Sequence, residues 1–167
     1  MAPPMQEPRA QNHAGQLLTF VVAGEEFGVD ILRVQEIRGW SRPMPLPRTP
    51  PYIRGVINIR GDIVPIADLR ERLGIESLVP GPTTVIVVVR VEHAHRNRTM
   101  GFVVDAMSDV TTLAHDTIKP PPDIADRSGA VGFSRGIALV EERMITVLDI
   151  DRVFPAPSAA PEAERAA

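Results

Sequence analysis

The sequence predicts a mainly β protein made of two similar small β modules with short helical turns. Three observations carry this. Glycine and proline occur 12 and 17 times in 167 residues, so long helices have no room. The longer uninterrupted stretches, 83–100, 102–119 and 137–154, are rich in Val, Ile and Thr, which suit a pleated, half-buried surface. The chain also repeats itself. At an offset of 81, Arg54-Gly55-Val56-Ile57 falls on Arg135-Gly136-Ile137-Ala138, Ile63-Val64 on Met144-Ile145, Ile66 on Val147, and Asp68-Leu69 on Asp149-Ile150. At an offset of 73, Phe27-Gly28-Val29 falls on Met100-Gly101-Phe102, and Val34, Glu36 and Ile37 fall on Met107, Asp109 and Val110.

The elements follow in order. Leu18, Phe20 and Val22 alternate as a half-buried strand does, and Gly24-Glu25-Glu26 turns the chain into a second strand at Phe27-Gly28-Val29. Asp30 caps a short helix in which Ile31, Val34 and Ile37 recur at helical spacing, and Gly39 stops it. A loop with Pro43, Pro45, Pro47, Pro50 and Pro51 leads to a hairpin, Gly55–Ile59 and Ile63–Ile66, around Arg60-Gly61-Asp62. Asp68 starts a helical turn that ends at Gly74. Thr83–Val91 is an apolar strand paired with Thr99–Val104 across a polar loop, Glu92–Arg98. Ala106–Val110 makes a helical turn, and Gly136–Val140 with Met144–Leu148 forms the last hairpin. Residues 1–15 and 155–167 are Pro-, Ala- and polar-rich and read as flexible tails; residues 16–154 form the ordered unit.

Composition narrows the function. There is no cysteine, which removes disulfides, thiol nucleophiles and thiolate metal sites. No apolar run reaches the roughly 20 residues of a membrane span, and residues 1–15 lack the apolar core of a secretion signal, so a cytoplasmic setting without membrane insertion is expected. The net charge of −3 gives no support to bulk nucleic-acid binding, although residues 33–72 hold eight arginines against four acids. Such a basic face suits phosphates or an acidic protein partner, and the second fits a soluble acidic chain better.

Catalytic and cofactor motifs are weak. The serines lie outside any nucleophile-elbow pattern, and no Gly-rich phosphate loop precedes a helix. His93 and His95 have no third ligand nearby, so they read as hairpin-tip residues rather than a metal site. Asp149 stands opposite Asp68 in the repeat, which makes it a cap rather than half of an acid–base pair with Asp151. No catalytic, metal or cofactor-binding residue is therefore assigned. Trp40 and Tyr52, the two aromatics among the arginines, suit core or protein-contact duty.

The strings Val34-Gln35-Glu36-Ile37-Arg38-Gly39, Gly55-Val56-Ile57-Asn58-Ile59-Arg60-Gly61-Asp62-Ile63-Val64-Pro65-Ile66-Ala67-Asp68-Leu69-Arg70 and Gly101-Phe102-Val103-Val104-Asp105-Ala106-Met107-Ser108-Asp109-Val110 strongly resemble the CheW family, adaptors of bacterial chemotaxis signalling. The resemblance covers about residues 16–154. It implies two five-stranded, SH3-like β-barrel subdomains on a shared apolar core, and a non-enzymatic scaffold without cofactor. Its implied partners are the helical-hairpin tip of methyl-accepting chemoreceptors and the regulatory domain of the histidine kinase CheA, in a swimming, twitching or biofilm pathway. Carried over by position, Val34, Gly55, Arg60, Gly61 and Val88 belong to the receptor-binding groove, and strand alternation adds Val104, with Val34, Val88 and Val104 as its apolar floor. Glu36, Ile37, Trp40 and Arg54 belong to the kinase-binding region. The same domain occurs within CheA and fused to a receiver in CheV; a chain of this length favours the free-standing adaptor. Glu36 and Arg60 are expected to meet. The second module carries Glu141 and Asp109 at their places, so no ion pair is expected there. The alternatives are a metal or carboxylate enzyme using His93, His95 and Asp149, and a nucleic-acid module using the arginines of 33–72.

Overall fold

The computed structural model describes residues 15–77, 79–93, 96–113, 118–120 and 132–155. Nearly all of both expected tails, with His13, His95 and His115, lie outside them. The strands are β1 (Gln16–Val22), β2 (Glu25–Asp30), β3 (Val34–Gly39), β4 (Ile53–Ile59), β5 (Asp62–Asp68), β6 (Val85–His93), β7 (Arg96–Val104), β8 (Ala106–Thr112), β9 (Ile118–Lys119), β10 (Ser134–Val140) and β11 (Arg143–Leu148). Two single-turn helices, α1 (Leu69–Arg72) and α2 (Ile150–Val153), follow β5 and β11. The caps expected from the repeat are present: Asp68 accepts from the Arg70 amide and Asp149 from the Asp151 amide.

The strands form two curled sheets, in the orders β3-β6-β7-β5-β4 and β8-β1-β2-β11-β10-β9. Matched by repeat, the two orders coincide: β6 stands for β1, β7 for β2, β5 for β11, β4 for β10 and β3 for β8. The repeats are nevertheless interleaved. Each barrel takes its central hairpin from one copy and its other strands from the other copy, joined through the parallel pairs β5–β7 and β11–β2. A copy therefore has no complete barrel of its own.

The match extends to backbone detail. A register shift follows Ile53 in β4 and Ser134 in β10, ending at Gly55 and Gly136. Both glycines have positive φ, 142° and 149°. A Cβ on Gly55 would lie 2.2 Å from the Met44 carbonyl oxygen, and one on Gly136 2.3 Å from that of Lys119. Met44 bridges Val56 just as Lys119 in β9 pairs with Ile137. The sixth strand is thus the second copy's version of the Met44 bridge, lengthened to two residues.

Three apolar cores result. One fills the first barrel with Ile57, Ile59, Val64, Ile66, Ile86, Val88 and Val103. A smaller one around Leu17, Ile145 and Val147 fills the second. The largest lies between the barrels and strings together Phe20, Phe102 and Phe154, with ring centroids 5.4 and 6.0 Å apart. Two matching clamps tie the barrels at the rim. Asp105 accepts from the Arg70 guanidinium at 3.0 and 2.7 Å and from the Ala23 amide. Asp151 accepts from the Arg33 guanidinium at 2.9 and 2.7 Å and from the Glu92 amide. Helix and linker have exchanged acid and base between the copies.

Three expectations are corrected. Only Ile31–Arg33 is helical after Asp30, as one 3-10 turn. Val34–Gly39 is a strand, because its backbone pairs with β6 from Val34↔Val89 to Gly39↔Val85. A lone helical turn has few internal bonds, and the ladder outcompetes it. For the same reason Ala106–Val110 is strand β8, paired with β1. Glu92–Arg98 is mostly ladder rather than loop, with Glu92 opposite Asn97 and His93 opposite Arg96.

Candidate protein-binding face

β3 and β4 are the outer strands of the five-stranded sheet, with no backbone pairing recorded between them. Glu36 on β3 and Arg60 on the β4–β5 turn span this seam: Arg60 Nη2 donates to Glu36 Oε1 at 2.5 Å. The turn is built for presentation. Arg60 and Gly61 have φ of 50° and 91°, as a two-residue primed hairpin turn requires, and the Asn58 side chain accepts from the Gly61 amide at 2.8 Å. Arg60 is left 75% exposed, while Glu36 is half-buried. The Arg60 guanidinium, and then Arg38, holds the Glu36 carboxyl below its usual range. Close to these residues in sequence, Ile37 on β3 and Ile63 on β5 expose large apolar side chains.

Strand periodicity explains Ile37. Along β3, Val34, Glu36 and Arg38 are half-buried and Gln35, Ile37 and Gly39 exposed. A helix would have put Ile37 in the core beside Val34; period two puts it outside. Ile63 was missed by the sequence reading, although its place next to a tight turn and opposite Asn58 signals an outward side chain.

The other predicted residues separate. Val34 packs half-buried on the central core, whereas Val88 and Val104 are 1% and 0% exposed and belong to different cores. They do not form one groove floor. Both faces of β6 are covered, so alternation there does not reveal an outer face. Gly55 is committed to the Met44 carbonyl, while Gly61 has open space around it. Trp40 packs half-buried on the first barrel's interior cluster. With Arg42, Pro43, Pro45 and Arg54 it lines a cleft of about 300 Å³. Arg54 also reaches Glu71 at 3.5 Å.

The second barrel corrects one more expectation. Glu141 does replace Arg60, with φ of 49°, but Arg143 two residues on supplies the cation, bonding Glu26 at 2.6 Å and lying 3.7 Å from Asp109. Bonds from Thr19 and Thr111 hold the Asp109 carboxyl below its usual range. Val110, Leu139 and Met144 are exposed around it. Among the described residues no three His, Cys, Asp or Glu side chains group as metal ligands. His93 Nε2 instead lies 2.9 Å from the Phe154 carbonyl. No helix among them is long and apolar enough to cross a membrane.

The two interleaved barrels are the fold of a known family. The model of the CheW-like domain matches residues 16–158. The chain belongs to the CheW family. It is 42% identical to the chemotaxis protein CheW of Rhizobium meliloti over 147 residues, 86% of this chain and 90% of that protein. It is 37% identical to the chemotaxis protein CheW of Klebsiella aerogenes, over 83% of this chain and 81% of that one. The crystal structure of the scaffolding protein TtCheW from Thermoanaerobacter tengcongensis superposes with a TM-score of 0.76 at 29% identity, covering 86% of this chain and 94% of the other. CheW-like domains are chemotaxis scaffolds without catalytic activity, and this chain is one.

Proposed function

We propose that this protein couples the helical-hairpin tips of methyl-accepting chemoreceptors to the regulatory domain of the histidine kinase CheA, acting in the cytoplasm at membrane-associated receptor arrays. The observation that carries the reading is the Glu36–Arg60 pair. It joins one residue of the kinase-binding set to one of the receptor-binding set across the seam, and Ile37 and Ile63 are exposed on the two strands that carry or flank it. Apolar anchors around a fixed charge are what a docking site for a helix or a barrel edge requires. Arg60 and Gly61 are the exposed members of the receptor set. Ile37, Trp40 and Arg54 extend the kinase face along β3 and the cleft.

The nucleic-acid reading loses support because the arginines of 33–72 are mostly engaged. Arg33, Arg38, Arg54, Arg60 and Arg70 bond carboxylates, and Arg72 donates to the Val153 carbonyl while lying over the Tyr52 and Phe133 rings. The test is reconstitution. Purified protein is mixed with a receptor-tip fragment and the kinase regulatory domain from the same cell, and complexes are separated by size. A ternary complex that needs this protein supports the proposal; no association with either component refutes it.

A further inference from the structure

Two guanidiniums share Glu36. Arg60 Nη2 takes Oε1, and Arg38 Nη1 takes Oε2 at 3.1 Å. Arg38 lies two residues along the same strand, hence on the same face. The second barrel shows what the fold alone needs at this place. There Thr111 occupies the position of Arg38, and its Oγ1 donates to Asp109 at 3.1 Å with the same two-residue spacing. Thr111 does not orient that acid alone, because Thr19 Oγ1 on β1 donates to the same carboxylate oxygen at 2.8 Å. In the first barrel a charged guanidinium, that of Arg38, takes the second oxygen of Glu36 instead, and it fits the fold less well. Its Nε is buried with no hydrogen-bond partner among the described residues, a cost to stability that threonine would avoid.

We infer that Arg38 is a positioning residue of the proposed interface: it pins the second oxygen of Glu36, so that Glu36 holds the exposed Arg60 in one orientation before a partner arrives. The inference rests on the proposed function. With both carboxylate oxygens bonded, rotation about the terminal bond of Glu36 is restrained, and Arg60 is held from a fixed point. A long side chain ordered in advance loses less freedom on binding, which raises affinity without adding a contact. Asp62, next to the turn, also faces Arg60, but it is on the mobile side chain's own hairpin and does not fix Glu36.

The experiment borrows the second barrel's solution, Arg38→Thr. The variant is expected to keep the far-ultraviolet spectrum and thermal midpoint of the parent. Its affinity for the kinase regulatory domain or the receptor-tip fragment is expected to fall about five- to tenfold. A structural role would not produce the second signature: in a Glu36→Gln background, Arg38→Thr should have no further effect on affinity, because its route to Arg60 is already cut. Arg38→Met, similar in length but unable to donate, is measured alongside in case threonine unfolds the barrel. Parental affinity in a folded Arg38→Thr or Arg38→Met protein overturns the inference, as does an equal loss in the Glu36→Gln background. If the parent itself binds neither fragment, the proposed function falls and this inference with it.

Discussion

Gly55 belongs to the receptor-binding set by resemblance, yet its geometry assigns it to the fold, and Gly55→Ala separates the two. A Cβ there would lie 2.2 Å from the Met44 carbonyl oxygen and 3.0 Å from the Pro45 nitrogen, so the proline segment must move away. That motion breaks two backbone bonds, Met44 N–H to the Val56 carbonyl at 2.8 Å and Val56 N–H to the Met44 carbonyl at 2.9 Å. Each is worth about 1 kcal/mol net. Holding alanine at φ of 142° adds about 1–3 kcal/mol. The total, about 3–5 kcal/mol, should lower the thermal midpoint by about 6–20 °C for a domain of this size. Gly61→Ala is the control. Its Cβ meets nothing within 4 Å, and the matching turn residue Glu142 already lives at φ of 71°, so the cost is about 1 kcal/mol. Calorimetry of both variants, with a binding titration of each, is the assay. A Gly55→Ala protein as stable as the parent but unable to bind would refute the reasoning and return Gly55 to the interface.

Gly136→Ala should lose stability comparable to Gly55→Ala, since Lys119 presents its carbonyl 2.3 Å from the added Cβ; a neutral effect in urea denaturation would break the equivalence of the two bulges. Asp151→Asn should cost about 1–3 kcal/mol in the same assay, because two guanidinium bonds and the Glu92 amide bond lose their charged acceptor. Stability should also fall in acid. Arg33, opposed by burial, holds the Asp151 carboxyl low; burial pushes Asp105 up, but Arg70 and the Ala23 amide outweigh it. Both carboxyls therefore titrate below their unfolded value of about 4, so their contribution is complete above that pH and lost as pH falls through the folded values. Urea midpoints taken from pH 7 to pH 3 check this, and Asp151→Asn should flatten the decline. Removing residues 1–14 and 156–167 should leave the thermal midpoint nearly unchanged, because the described core runs from Leu17 to Phe154; a large drop would show that a tail packs on the barrels.

The duplication was readable because the features that recur are backbone requirements. The paired glycines at 55 and 136, and the capping acids at 68 and 149, survive when side chains around them diverge. The interleaving was not readable. It depends on which hairpin enters which barrel, a long-range pairing that leaves no periodic signature in either copy. β3 and β8 were misread because six or seven residues hold too few repeats to tell period 3.6 from period 2, and only the ladder to β6 or β1 decides. Of the site, the Glu36–Arg60 contact was legible from charge and from the repeat's substitution at Glu141. The exposed Ile63 and the role of Arg38 needed the seam in three dimensions. Val88 on β6 and Val104 on β7 failed as floor residues because a strand stretch covered on both faces looks the same from either side.

The central claim is that Arg60, held by Glu36 across the seam, is the anchor of a docking face. Titration calorimetry of the Arg60→Ala protein against the receptor-tip fragment and against the kinase regulatory domain tests it most directly. The expected result is a folded protein with the parent's circular dichroism and an affinity at least about tenfold weaker for one or both partners. A folded Arg60→Ala protein that binds both partners as the parent does would contradict the account.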